Sequence, residues 1–148
     1  MSAEHTILYA EDDLDDLYII KQAFEIHSNN IEIEHANNGF EALQFLTKAH
    51  QHNSGLPCLI VLDINMPGMD GREALIHIKQ TEELKHIPVV LFTTSSSLLD
   101  KAFAEKWGAG FITKPLIYSE MEVLVKQFID LCDFSTAKAK EHLRRMSH

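Results

Sequence analysis

Cys58-Leu-Ile-Val-Leu62 is an unbroken apolar run that ends on Asp63, and residues 64–70 follow as a loop carrying Pro67 and Gly68. A strand with one wet face alternates apolar and polar residues. A strand apolar on both faces is covered on both sides, as in the middle of a parallel sheet flanked by helices. Val89-Val-Leu-Phe92 reads the same way. Ile31-Glu-Ile-Glu-His-Ala36 instead alternates with period two and belongs at an edge. Ile7-Leu-Tyr-Ala10, which runs into acids, and Gly110-Phe-Ile-Thr113 complete five short strand candidates.

Helical periodicity fills the spaces between them. Residues 14–27 place Leu17, Ile20 and Phe24 on one face, and Asn29-Asn30 breaks that pattern. Asn38-Gly39 opens a second helix that runs to about His50, followed by a polar loop from Gln51 to Gly55. Residues 72–81 turn Ala74, Leu75 and Ile78 inward. Leu98, Leu99, Ala102, Phe103 and Trp107 form a helical stripe stopped by Gly108. Met121, Leu124, Val125, Phe128, Leu131 and Cys132 mark the last helix of the alternation. Strands alternating with helices give an α/β fold. Right-handed crossovers and one amphipathic edge strand select a flavodoxin-like, doubly wound, five-stranded parallel sheet of order 2-1-3-4-5 with five helices. Ligands of such sheets bind beyond the carboxyl ends of the strands, at the switch point between strands 1 and 3.

The sharpest polar residues all fall at that end. Glu11, Asp12 and Asp13 follow strand 1, Asp63 follows strand 3, Thr93 and Thr94 follow strand 4, and Lys114-Pro115 follows strand 5. Strands 1 and 3 are neighbours, so Glu11, Asp12 and Asp63 crowd together. Like charges so close raise one another's pKa unless a cation offsets them, and oxygen donors of this kind suit Mg²⁺ or Mn²⁺. Each residue alone has a bland explanation. Asp13 reads as a helix cap, and Asp15 and Asp16 as favourable first-turn charges. The joint placement at four strand ends is what the bland readings leave unexplained.

Length and charge bound the rest. The 148 residues suffice for one core and hardly for two. The net charge of −9 disfavours nucleic acid, the only basic block being Lys138–Arg145 near the end. No apolar run approaches the ~20 residues of a membrane span, and Met1–His5 lacks the features of a signal peptide, so a cytoplasmic location is expected. Cys58 and Cys132 lie far apart in apolar stretches and read as buried free thiols in a reducing compartment.

Ile7–Asp13, Leu59–Gly71, Pro88–Thr94 and Gly108–Pro115 resemble, in order and spacing, the four signatures of bacterial two-component response-regulator receiver domains. The resemblance covers roughly residues 6–132, which defines residues 1–132 as a receiver domain and residues 133–148 as a tail with helical composition over Ala137–Arg145, capped by Ser135 or Thr136. Within the family the chain looks most like stand-alone, CheY-like receivers that partner phytochrome-type histidine kinases. The resemblance implies Asp63 as phosphoacceptor, Asp12 as direct metal ligand, Glu11 as its outer companion, and a backbone carbonyl at Asn65 on the metal. It implies Lys114 as the partner of the phosphoryl group, Thr93 as the hydroxyl that moves to bond it, and Phe111 as the aromatic that follows. Thr94 is a departure, since the family usually has a smaller residue there, and its bulk bears on the dephosphorylation rate. Pro67, Gly68 and Gly71 read as backbone devices that shape the loop.

The implied function is a phosphorylation switch dependent on Mg²⁺ (or Mn²⁺), with no turnover chemistry beyond its own phosphorylation and slow dephosphorylation. Its implied partners are a sensor histidine kinase, a downstream target or phosphotransfer protein, and a second copy of itself through the face of helix 4, strand 5 and helix 5. About fifteen residues after the last receiver helix are too few for an output domain. A haloacid-dehalogenase-type phosphatase would place its nucleophile after its first strand with an Asp two residues on, where this chain has Asn65. A degenerate receiver would lack a competent residue at one of these positions, and none is lacking.

Overall fold

A computed structural model of the protein describes residues 5–27, 30–53, 55–134 and 136–147. The elements run β1 (His5–Ala10), α1 (Leu14–His27), β2 (Ile31–Ala36), α2 (Gly39–Gln51), β3 (Leu59–Leu62), α3 (Gly71–Gln80), β4 (Val89–Thr93), α4 (Leu98–Lys106), β5 (Gly110–Thr113), α5 (Tyr118–Cys132) and α6 (Thr136–Met146). The strands form one parallel sheet of order β2-β1-β3-β4-β5, as the sequence pattern required. Every residue of β3 and β4 is buried, whereas β2 is only partly so. The break read at Asn29 and the Ser135 cap lie outside the described residues.

The two faces of the sheet carry separate cores. Leu8, Ile60, Leu62 and Leu91 point to one side and pack with Leu46, Leu75 and Ile78 of α2 and α3. Ile7, Val61, Val90 and Phe92 point to the other and pack with Ile20, Phe24, Val125 and Phe128 of α1 and α5. Phe92 meets Phe128 edge-to-face at 5.9 Å between ring centroids. Alternation along buried strands thus feeds two cores from one sheet.

Three sequence expectations change. Among the described residues there are six helices, because α6 buries Ala139 and Leu143 against the α1/α5 core and gains the tertiary support a short helix needs. In α4 the inward residues are Ala104 and Asp100, while Leu98, Leu99 and Ala102 are exposed. Asp100 can face inward because Arg72 and Ser95 satisfy it, and that rotates the leucines out. The cysteines are not free thiols. Cys58 and Cys132 form a disulfide with Cα atoms 5.2 Å apart, because the approach to β3 and the end of α5 converge at the pole of the sheet opposite Asp63. A sequence separation of 74 residues hides that convergence.

Closing so long a loop restricts the unfolded chain, so the bridge should stabilise the fold by roughly 2–4 kcal/mol. Cys132→Ser should lower the unfolding midpoint by the matching amount in non-reducing buffer and abolish its response to dithiothreitol. An identical wild-type midpoint with and without reductant would place both cysteines in the thiol form in solution.

Candidate functional site

The site is built where chain segments leave the carboxyl ends of the strands. β1 and β3 pair in register from Ile7–Leu59 to Ala10–Leu62, and the Asp63 N–H donates to the Ala10 carbonyl at 3.1 Å. Glu11 and Asp63 therefore leave adjacent strands at the same level. One carboxylate oxygen from each of Glu11, Asp12 and Asp63 lies within 4.8 Å of the others. Glu11 is fully buried and Asp12 is exposed, so the cluster opens to solvent on the Asp12 side.

Lys114, delivered by the end of β5, reaches into this cluster. Its ammonium donates to Glu11, to Asp16 at 3.0 Å and to Asp63 at 3.1 Å, and stands 5.9 Å from the Phe92 ring centroid. Burial pushes the Glu11 carboxyl up to about 7, and the Asp63 charge adds to this while the bond from Lys114 opposes it. Burial also works to deprotonate Lys114, but the bond to Glu11, the charges of Asp63 and Glu11 and the bond to Asp16 outweigh it and hold the ammonium well above its ordinary value. Three carboxylates share this ammonium, and Asp12 adds a fourth acid beside Glu11 and Asp63. The surplus negative charge and the hard oxygen donors fit a divalent cation that keeps several of its waters.

The expected site residues separate into those brought together and those held nearby. Asn65 is exposed, and its N–H donates to Asp63 Oδ1 at 3.3 Å. Thr93 is fully buried, and its hydroxyl accepts the Ser95 N–H at 3.2 Å. Thr94 is exposed at the rim. Phe111 is 2% exposed and packs inward with the α2/α3 core. Asp13 caps α1 through bonds from the N–H groups of Asp15 and Asp16, as the sequence suggested. Gly71 is demanded by close approach, since a Cβ there would lie 2.2 Å from the Asp63 carbonyl oxygen.

Two residues escaped the sequence reading. Asp16 reads as a first-turn charge, yet it is a direct partner of Lys114. It sits one turn before the buried Ile20, so helical spacing put it on the sheet-facing side. Asp100 accepts from Arg72 at 3.1 Å and from the Ser95 hydroxyl at 3.1 Å, tying the loop after Thr93 to the start of α3. The available signal was its spacing from Ala104, four residues on along the inward face.

This fold with acids after β1 and β3, a hydroxyl after β4 and a lysine after β5 is the architecture of a receiver. Residues 7–126 match the response regulator receiver domain family, and the chain belongs to it. Receiver domains are the phospho-accepting modules of two-component signalling. The chain is 40% identical over 90 residues to the response regulator Rcp1 of Synechocystis sp., a match covering 60% of this chain and 61% of Rcp1. It is 33% identical over 123 residues to the probable methanogenesis regulatory protein FilR2 of Methanothrix harundinacea, covering 82% and 79%. Among solved structures, the phosphorylated cyanobacterial phytochrome response regulator RcpA superposes with a TM-score of 0.78 at 32% identity, covering 87% of this chain and 94% of RcpA. The Mn²⁺-bound form of Rcp1 gives 0.73 at 32% identity, covering 82% and 89%.

The geometry separates Asp12 from Asp13. Asp12→Ala should weaken divalent-cation binding by at least about tenfold in a calorimetric titration. Asp13→Ala should leave that affinity nearly unchanged and cost about 1 kcal/mol of stability through the lost cap. Equal losses of affinity would mean that the metal faces the other acid.

Proposed function

We propose that Asp63 accepts a phosphoryl group from a sensor histidine kinase. The carrying observation is its carboxylate, placed at the mouth of a metal-competent acid cluster with Lys114 at 3.1 Å. An Asp63 carboxylate oxygen attacks the phosphorus of a phosphohistidine. The P–N bond breaks, the imidazole leaves with the bonding pair and takes a proton from solvent, and an acyl phosphate remains. Mg²⁺, with Mn²⁺ as an alternative, would neutralise phosphoryl oxygens there. Asp12 and Asp63 are its direct ligands in this reading, Glu11 its water-bridged companion, and Asn65 supplies a backbone carbonyl.

The product carries about −1.5 to −2 charge and three acceptor oxygens. Lys114 pairs with it in place of the Asp63 carboxylate. Thr93 donates its hydroxyl, which in the resting state accepts the Ser95 N–H, and Phe111 keeps the inward position it already holds as that loop closes. Thr94 at the rim limits access of attacking water, so self-dephosphorylation is slow. The domain acts as a switch in the cytoplasm rather than as a turnover enzyme. Its likeness to the cyanobacterial phytochrome response regulator RcpA supports a phytochrome-type kinase upstream. The signal passes on by contact with a target or a phosphotransfer protein. After acetyl phosphate and Mg²⁺, intact mass should show one added phosphate on the wild type and none on Asp63→Asn. Undiminished labelling of the variant would move the acceptor elsewhere.

The reading extends to a homodimer through α4, β5 and α5. Leu116, Ile117, Tyr118 and Val123 are exposed beside that face, whereas Ile129 packs against the core. The tail helix α6 packs on its own β5, so an isologous contact would be made around it. Light scattering at tens of micromolar should report a dimer that Tyr118→Glu weakens. A monomer mass in both phosphorylation states removes this part of the reading.

A further inference from the structure

A cavity of about 840 Å³ lies beside the amino-terminal end of β5, at the other end of that strand from Lys114. The last turn of α3, the α3–β4 connection, α4, β5 and α6 bound it. That volume is in the range of small-molecule sites. Its floor is apolar, with Trp107, Phe111 and Leu143, and its walls carry Lys79, Lys101, Lys140 and Arg144. Lys85 and His86 add to the rim, and Glu105 is the one acid among the described lining residues.

This concentration of positive charge is out of keeping with the chain. The whole protein has a net charge of −9 and 13 lysines and arginines, yet five of them converge on one cavity. Among the described residues no carboxylate stands within ion-pair distance of Lys79, Lys101, Lys140 or Arg144, while Lys85 pairs with Glu82 at 2.8 Å. Lys79 is half-buried and has only a 3.4 Å bond to the Lys85 carbonyl. Burial and the nearby Lys140 charge lower its pKa to about 8. Among the described residues only Glu105 in the lining and Glu82 beside Lys85 offset this repulsion, and a bound polyanion would relieve it.

We propose that this cavity binds a nucleotide, its base against Trp107 and Leu143 and its phosphates among Lys79, Lys101, Lys140 and Arg144. Lysine ammonium groups and an arginine fork are suited to phosphate oxygens. An aromatic wall next to them offers a stacking surface for a planar base. Stacking and phosphate-binding groups lie together around one concavity lined from five segments, which suits a compact ligand that carries both chemistries. None of these groups belongs to the acidic cluster around Asp63.

Trp107 is the only tryptophan in the chain, so intrinsic fluorescence reads the floor directly. Full-length protein titrated with ATP in EDTA, which removes metal from the acidic cluster, should show saturable quenching with a Kd below about 1 mM. Lys79→Ala with Lys140→Ala should weaken it by roughly tenfold or more, and the exposed Arg144→Glu does the same should the double variant fold poorly. No quenching to several times that concentration, or undiminished affinity in Arg144→Glu, overturns the proposal. Inorganic triphosphate binding as tightly as ATP overturns the base subsite, and a poly-glutamate peptide binding more tightly than either assigns the cavity to an acidic partner instead.

Discussion

The ammonium of Lys114 is held by three carboxylates, Glu11, Asp16 and Asp63, that come from three separate segments of the chain. A buried lysine is costly unless its neighbours supply opposite charge, and a fully buried glutamate is costly for the same reason. Here each makes the other tolerable. The sheet order makes the meeting possible, since β1 and β3 present their acids side by side while β5 sends its lysine across the ring of Phe92. The acids still outnumber the cation. The resting cluster is therefore biased toward taking up more positive charge, and under the proposed function a phosphoryl group on Asp63 would compete for bonds that Lys114 already makes.

A second frame holds the loops that carry the site. Gly71 lets the backbone of α3 press against the Asp63 carbonyl, and its N–H donates to Ile64 at 3.1 Å. The next residue, Arg72, reaches Asp100 at the start of α4. Asp100 in turn accepts from Ser95, whose N–H meets the Thr93 hydroxyl. An unbroken path of polar contacts thus runs from the loop after β3 to the loop after β4. These contacts tie the hydroxyl at the end of β4 to the first turn of α4 and the start of α3.

Most of this architecture was legible in the sequence because it depends on short-range patterns. Both faces of β3 and β4 are apolar, β2 alternates, and the strand order follows. The acids after β1, Asp63 and Lys114 could be placed together from that order alone. What escaped depends on three-dimensional convergence. The Cys58–Cys132 bridge joins segments 74 residues apart. The exposure of Leu98 and Leu99 reverses a hydrophobic reading because the buried Asp100, satisfied by Arg72 and Ser95, turns α4 the other way. Asp16 and Asp100 look like ordinary helical acids until a lysine and an arginine from elsewhere arrive beside them.

The covering of β5 has a further effect. An open sheet ends in two rows of unpaired backbone groups, which other chains can extend. On one edge α6 lies along β5, with Leu143 over Gly110 and the Ser147 hydroxyl accepting the Phe111 N–H at 2.8 Å. On the other edge β2 carries Glu32 and Glu34, charges that repel a second copy of the same strand. One margin is sealed and the other is electrostatically guarded. Both features count against strand-to-strand polymerisation at the edges of the sheet.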